Sequence, residues 1–305
     1  MTKYLLRRFL LSIPTIIGVT LLVFIILFLA PGDPAQMILG PRGTPEQVDA
    51  LRQQLGLDRP VFEQYLRWLG GVLTGNLGQS IAARQPATTL ITQQMPYTLT
   101  LALSAIVLIV VCAIPIGVFS AVRRNSWADK GLSAGSMFFY SLPDFWLAIM
   151  LMLVFAIQLR WLPISGAGSW QAVILPALAL GLPHVGTVSR LMRAEMIDVL
   201  GEHYIRTAHA KGLSPIHVNY GHALRNALAP IIVYLFLTIP WLLGGAVIVE
   251  TIFAYPGIGR LMFQSILSRD LPVVQGILLI IATSTVVFNL LGDFVTAQLD
   301  PRIRY

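Results

Sequence analysis

Lysine is almost missing from this chain: Lys3, Lys130 and Lys211 are the only three in 305 residues, preceded by Thr2, Asp129 and Ala210. A phosphate-binding P-loop needs Gly-Lys-Ser/Thr, so none of them completes one, and any ATP hydrolysis linked to this chain belongs to another. Cysteine is scarcer still. Cys112 stands alone inside an apolar run, which excludes an intrachain disulfide and a thiolate metal site. Charge is low as well, at 11% of residues against 56% apolar and a mean hydropathy of +0.74. Soluble domains carry about 25% charged residues, so the composition belongs in a bilayer. No basic stripe with interleaved aromatics accompanies the net charge of +7, and nucleic-acid binding is not expected. The zinc-protease sequence His-Glu-x-x-His is absent, and Ser165-Gly166 and Gly292-Asp293 lack the neighbours an intramembrane protease needs. No internal repeat of the kind that builds proton-coupled secondary transporters is visible.

What is present is a series of long apolar runs. They are continuous rather than alternating, which favours helices over a barrel. A hydrocarbon core about 30 Å thick takes roughly 20 helical residues, and six stretches qualify: residues 9–30, 97–122, 132–159, 172–189, 230–253 and 271–299. The expected fold class is therefore an all-α membrane protein with six transmembrane helices. The first run follows Lys3, Arg7 and Arg8 but is longer than the apolar region of a signal peptide, usually ~7–15 residues, so it reads as an uncleaved span. Pro115 predicts a kink in the second, and Asp144 interrupts the third.

Loop charge sets the expected orientation. With the amino terminus in the cytoplasm, thirteen of the 21 basic residues fall inside, including Arg123, Arg124, Lys130, Arg190, Arg193, Arg302 and Arg304. Six spans then return the carboxyl terminus to the cytoplasm. Two parts are expected: residues 1–96, a first span plus an extracytoplasmic segment, and residues 97–305, a five-helix core containing a cytoplasmic loop over 190–230. The extracytoplasmic segment is patterned. Thr44-Pro45-Glu46-Gln47 has the form of a capping box with proline at the first helical position, and Gly56 offers a stop. A second amphipathic helix follows Asp58-Arg59-Pro60. Both are expected on the membrane surface or packed over the spans.

The loop GEHYIRTAHAKGLSPIHVNYGHALRNALAP, residues 201–230, is polar and basic and holds four of the five histidines. Glycine and proline divide it into three helices: an extension of the fourth span to Gly201, a short helix over 202–211 ended by Gly212, and a helix from Ser214-Pro215 to about Leu228. A ten-residue helix is marginal alone. Its apolar face, Tyr204, Ile205 and Ala208, ringed by Arg206, His209 and Lys211, suits insertion into a partner's cleft or packing on the chain's own spans. His203, His209, His217 and His222 are spaced by six, eight and five, which sets no pair on one α-helical face, so they read as solvated or interface residues rather than a metal cluster. Ionisable residues inside spans are costly and often functional. Asp144, after Pro143, is expected to satisfy freed backbone groups or to line a pathway. His184 reads as a satisfied core histidine or a pathway residue. Glu250 is placed at an outer gate or holding the turn that follows, and Asp293 pairs with a nearby base.

The loop resembles the "EAA" loop of bacterial ABC importer permeases: Arg206-Thr207-Ala208, three residues, then Gly212 fit its spacing. Arg206 replaces the acidic residue, and His222 and Arg225 replace the later isoleucine and proline, as in the peptide/nickel branch. LAPGDPA at 29–35, LGLDRPVFEQYLRWL at 55–69, GNLGQS at 75–80, VIVETIFAYPGIGRL at 247–261 and RDLPVVQG at 269–276 are similar to that branch too. The resemblance implies the type I ABC importer permease fold in the bacterial cytoplasmic membrane, and a transporter subunit rather than an enzyme. It implies a second homologous permease, two ABC ATPase subunits that hold ATP and Mg, and an extracytoplasmic solute-binding protein as partners, with lipid around the spans and no cofactor on this chain. Tyr204, Ile205, Arg206, Thr207, Ala208, His209, Lys211 and Gly212 would form the ATPase-coupling element, and Asp144, His184 and Glu250 a pathway or gate. Small peptides are the expected cargo, with nickel, a metal chelate or glutathione as alternatives.

Overall fold

The computed structural model describes residues 2–29, 33–40 and 43–299. Residues 30–32, within the LAPGDPA stretch, and Arg302 and Arg304 lie outside the described residues. Among the described residues there are helices and a single isolated bridge, Gln79 to Pro86, but no strand. Five helices are long and apolar enough to cross a membrane: Arg7–Ile25 within α1 (Thr2–Phe28), α5 (Ala87–Val122), Trp170–Leu200 containing α8 (Ile174–Leu200), His217–Ile252 containing α10 (Leu224–Ile252), and Leu271–Gln298 within α12 (Leu271–Leu299). The third crossing is a broken one. Helix α6 (Trp127–Ser141) and the segment Asp144–Gln158, which opens with α7 (Asp144–Leu151), meet at 103°. Leu142 and Pro143 are extended at the break, at ψ 133 and 135. Proline offers no N–H and forces its predecessor out of the helical region, so the chain turns there instead of running straight from 132 to 159.

Two other limits differ from the sequence reading. Helix α5 starts at Ala87, not 97, and carries Pro96 and Pro115 inside it, so it runs across the division expected at residue 96. Its 36 residues make it about 54 Å long, well beyond one bilayer core. The helix expected to stop near Leu228 runs on into the fifth span, with Pro230 and Pro240 inside α10. In both cases a proline that marks a boundary in water is tolerated within a bundle, where neighbours satisfy the freed carbonyls.

Helices α5 and α8 form the centre, with α6, α7 and α10 against α8, and α12 against α10. Helix α1 sits at the edge, touching α12 and α4 (Val61–Leu73). With no hydrophobic drive between helices in lipid, close approach depends on small residues. A Cβ on Gly117 of α5 would lie 2.5 Å from the Met192 Cβ and 2.7 Å from the Ser189 carbonyl oxygen of α8. One on Gly181 of α8 would lie 2.8 Å from Leu108 of α5. Two buried clusters fill this seam. Leu101, Leu175, Leu180, Leu242 and Phe253 form one, and Ile109, Met192, Met196 and Ile231 belong to the other.

Tracing the crossings puts α2 (Pro34–Leu39), α3 (Pro45–Leu55), α4 and α11 (Ile258–Leu267) at one end of the bundle and α9 (His203–Ala210) at the other. Helix α3 has the expected capping box at Thr44 and Gln47 and a left-handed Gly56 after its last turn. Helix α4 packs over the first span, with the Tyr65 and Thr20 hydroxyls 2.8 Å apart and the Phe24 ring edge-on to Tyr65 at 5.5 Å. Asp33 and Arg52, 2.5 Å apart, tie α2 to α3. Asp270, buried in the turn before α12, accepts from Ser80 Oγ and from the Ile81 N–H at 3.0 Å. At the α9 end Asp293 pairs with Arg8 at 3.0 Å, as a nearby base was expected to do.

Replacing Gly117 with Leu is expected to force α5 and α8 apart and cost about 1–3 kcal/mol, read as a lower midpoint in thermal unfolding of the detergent-solubilised protein. An unchanged midpoint would show that the seam is not tightly packed. The Arg52 hydrogen bond holds the Asp33 carboxyl below its ordinary 3.8. The stabilisation from this pair is thus complete above the ordinary value and is lost only as pH falls through the lowered one. Proteolytic nicking of residues 33–60 is expected to be constant between about pH 5 and 8, and a rise within that window would contradict the pairing.

Candidate functional site

The α9 end of the bundle brings the predicted coupling residues together. Helix α9 packs against the start of the long helix that begins at Pro215, and its apolar residues join a buried cluster that also takes in residues of α8. Ile205, 1% exposed, and Ala208, 9% exposed, are buried among Met196, Val218 and Ala227. The apolar face of α9 therefore turns inward, and Ile205 and Ala208 anchor the helix to the chain's own spans instead of offering it to a partner. Tyr204 is 43% exposed, and its hydroxyl accepts from Asn226 Nδ2 at 2.8 Å. His203, Arg206, Thr207, His209, Lys211 and Gly212 are exposed, so the outward face is polar and basic. Gly212 turns the chain with φ +80, a left-handed conformation that costs an L side chain roughly 1–2 kcal/mol.

The sequence reading missed the apolar part of this surface. Leu213, Ile216 and Tyr220 are exposed beside α9, Ile216 at 73%. The two residues after Gly212 break the helical period, which hides a patch made partly of α9 and partly of the next helix. The histidines differ as well. Residues His217–Ala223 form a π-helix, whose wider turn sets positions five apart on one face. It brings the His217 and His222 rings to 5.3 Å between centroids, where an α-helix would part them. Among the described residues no three His, Cys, Asp or Glu side chains are grouped to hold a metal ion.

The same end of the bundle holds an ion pair that was not anticipated, with its carboxylate buried and its guanidinium half-buried. Arg193 of α8 donates to Asp129 of α6 through Nε at 2.6 Å and Nη2 at 2.7 Å. Asp129 also accepts from Ser120 Oγ of α5 and from the Asn125 N–H at 2.9 Å. One carboxylate so joins three helices. The spacing Ser126-x-x-Asp129 was the available signal, since Ser126 caps α6 by accepting from the Asp129 N–H at 3.2 Å.

The intramembrane candidates fall in separate places. Asp144 is the first residue of α7, with no hydrogen bond or ion pair to its side chain among the described residues, and α7 has no side-chain cap. Of its two expected roles, satisfying the backbone groups freed by Pro143 is not seen, since no hydrogen bond reaches its side chain among the described residues. Glu250 is fully buried and holds the following turn: Oε1 accepts from Thr98 Oγ1 at 2.6 Å, Oε2 from the Arg260 N–H at 3.0 Å, and Thr98 Oγ1 accepts from the Ile258 N–H at 2.8 Å. The carboxylate thus caps the start of α11, and Gly259 lets α10 approach, since a Cβ there would lie 2.6 Å from Val247 Cα. His184 is only half satisfied. Its Nδ1 lies 3.3 Å from the Tyr234 hydroxyl, its ring is edge-on to Trp241 at 4.7 Å, and its buried Nε2 has no partner among the described residues.

Asp129→Ala is expected to destabilise the protein by about 1–3 kcal/mol, because it removes the acceptor shared by Ser120, the Asn125 N–H and the half-buried Arg193 guanidinium. Asp129→Ala combined with Arg193→Met is expected to recover part of that loss. A double variant no better than the single, in a thermal-unfolding cycle, would mean that the pair does not act as a unit.

Residues 113–305 match the family described as binding-protein-dependent transport system inner membrane component, and residues 1–102 match its amino-terminal region. The glutathione transport system permease protein GsiC of Escherichia coli O6:H1 is 39% identical over 305 residues, covering 100% of both chains. That of Salmonella paratyphi A is 40% identical over the same length. A chain of the inward-facing MetNI methionine ABC transporter has the same fold, with a TM-score of 0.60 at 18% identity over 69% of this chain and 96% of that one. With full-length relatives at this identity and a helical bundle of the same form, the chain belongs to the family of binding-protein-dependent transport system inner membrane components, the multi-pass permease subunits of ABC importers.

Proposed function

We propose that this permease subunit carries glutathione or a closely similar small peptide into the cell, working beside a second, related permease. The observation that carries the cargo is the identity of 39–40% with glutathione permeases over the whole length of both chains. General di- and oligopeptide import is the broader form of the same reading. Glutathione is itself a tripeptide, so one pathway chemistry serves both.

The α9 end faces the cytoplasm in this reading, in keeping with the basic residues gathered there. Of two ATPase subunits that bind ATP and Mg, one docks on the exposed face formed by Arg206, Thr207, Lys211, Leu213, Ile216 and Tyr220, and the other on the related permease. An extracytoplasmic binding protein delivers cargo at the opposite end. Because Ile205 and Ala208 are set into the same cluster as Met192 and Ile231, a push on α9 is felt by α8 and α10 together. The element then works as a lever with two faces, one buried in the bundle and one offered to the motor. ATP-driven closure of the motor would move the helix ends and switch the bundle between outward and inward openings.

Uptake of labelled glutathione, di- to pentapeptides and radioactive nickel in cells with and without the gene tests the cargo. Loss of glutathione uptake on deletion is the expected result. Loss of nickel uptake alone would overturn it in favour of metal import. Gly212→Val is expected to strain the left-handed turn by roughly 1–2 kcal/mol and to uncouple transport from ATP hydrolysis in a protein that still inserts. Normal uptake by that variant would count against α9 as the lever.

A further inference from the structure

Near mid-length of two spans, a histidine sits where burial leaves it unfinished. His184 is on α8 and Tyr234 and Trp241 are on α10, all more than a helical turn from the ends of their helices. The Tyr234 hydroxyl engages Nδ1 at 3.3 Å, while Nε2 is shielded from solvent and has no hydrogen-bond partner among the described residues. An unsatisfied buried polar atom costs about 1–3 kcal/mol, and in a membrane span it points to function.

Trp241 is the nearest aromatic neighbour of this imidazole among the described residues. Its ring stands edge-on to the imidazole at 4.7 Å and lies along α10 over Gly245, where a Cβ would come within 3.3 Å of the indole. One turn away, a Cβ on Gly244 would meet nothing within 4 Å. The indole is 46% exposed, so part of it is not held by packing within this chain. The surface around it also differs from an ordinary lipid face. On α10 the partly exposed Gly244 and Gly245 lie beside the exposed Trp241, with Leu237 exposed one turn before it. Small residues beside an aromatic suit close approach of another body rather than acyl chains.

We infer that His184, oriented by Tyr234 and flanked by Trp241, is a cargo-contact station on the translocation path. With the Tyr234 hydroxyl donating to Nδ1, Nε2 carries the proton and donates to a carbonyl or carboxylate oxygen of a passing peptide. Trp241 shifts as the cargo arrives and returns when it leaves. The inference rests on the peptide-cargo reading above and adds to it the residues that meet the cargo inside the membrane.

The test uses the assembled importer with p-benzoylphenylalanine in place of Leu237, which is exposed one turn from Trp241, illuminated during turnover with radiolabelled glutathione. A labelled adduct is expected at 237 and none at a control probe replacing Leu103. Adding His184→Ala is expected to lower both adduct and uptake by about tenfold or more, the scale of one lost hydrogen bond to cargo. His184→Asn, which keeps a side-chain N–H, is expected to restore part of each, and Tyr234→Phe to fall between. A restored signal with Asn separates contact with cargo from simple packing. If the unmodified importer takes up no glutathione, the cargo assignment fails and this inference falls with it. If it does take up glutathione but gives no adduct at 237 above the Leu103 control, or if His184→Ala leaves adduct and uptake unchanged, the station alone is overturned.

Discussion

A carboxylate removed from water needs several donors around it, and that requirement organises both ends of this bundle. Three acidic side chains are buried among the described residues: Asp129, Glu250 and Asp270. Each is surrounded by donors from separate elements. Asp129 takes Arg193, Ser120 and a backbone N–H, binding α5, α6 and α8. Glu250 takes Thr98 and the N–H of Arg260, binding α5, α10 and α11. Asp270 takes Ser80 and the N–H of Ile81, fastening the segment before α5 to the turn before α12. Each site lies at a helix end, where free backbone N–H groups are available. Between them the helices meet chiefly through small residues and aliphatic side chains, with few polar contacts such as Ser136 to Ser189 and His184 to Tyr234.

Much of the architecture was legible because lipid enforces one rule. A segment without water must satisfy its backbone internally, so long apolar runs are helices and their lengths follow bilayer thickness. Residues 271–299 were read at their observed limits for that reason. Prolines were harder, because the same residue has opposite meanings in different surroundings. Pro143 breaks the third crossing by 103°, while Pro96, Pro115, Pro230 and Pro240 stay within continuous helices. What separates them is local: Pro143 follows a residue in extended conformation and starts a new helix, whereas the others have helical predecessors and packed neighbours. None of that is visible in a one-dimensional pattern.

Of the candidate residues, those defined by local chain geometry were read most easily. Gly212 has its left-handed turn, and Glu250 its place before the Ala254-Tyr255-Pro256-Gly257 turn. Residues whose role depends on a distant element were hidden. The Asp129 and Arg193 pair spans 64 positions. The half-satisfied state of His184 depends on Tyr234, 50 positions away. The His217 and His222 contact was hidden for another reason. It arises from a π-helical turn, and a spacing of five looks unproductive while only α-helical geometry is considered.

The apolar stripe of α9 shows why a short amphipathic helix cannot be interpreted from its own sequence. Ile205 and Ala208 are a face that must be covered, but the pattern does not say by what. The answer follows from length. An eight-residue helix lacks the stability to stand alone in water, so if its apolar face waited for a partner it would melt whenever that partner left. Setting Ile205 and Ala208 into the cluster of Met192, Met196 and Ile231 keeps α9 folded at all times and joined to α8 and α10. The exposed face can then be polar, basic and edged by Ile216 and Tyr220, a surface that can release as well as bind. In the proposed coupling role a push on that face would reach α8 and α10 through this cluster, and Gly212 turns the chain back towards α10. Cohesion with the spans and the proposed reversible contact with a motor are thus assigned to opposite sides of one small helix.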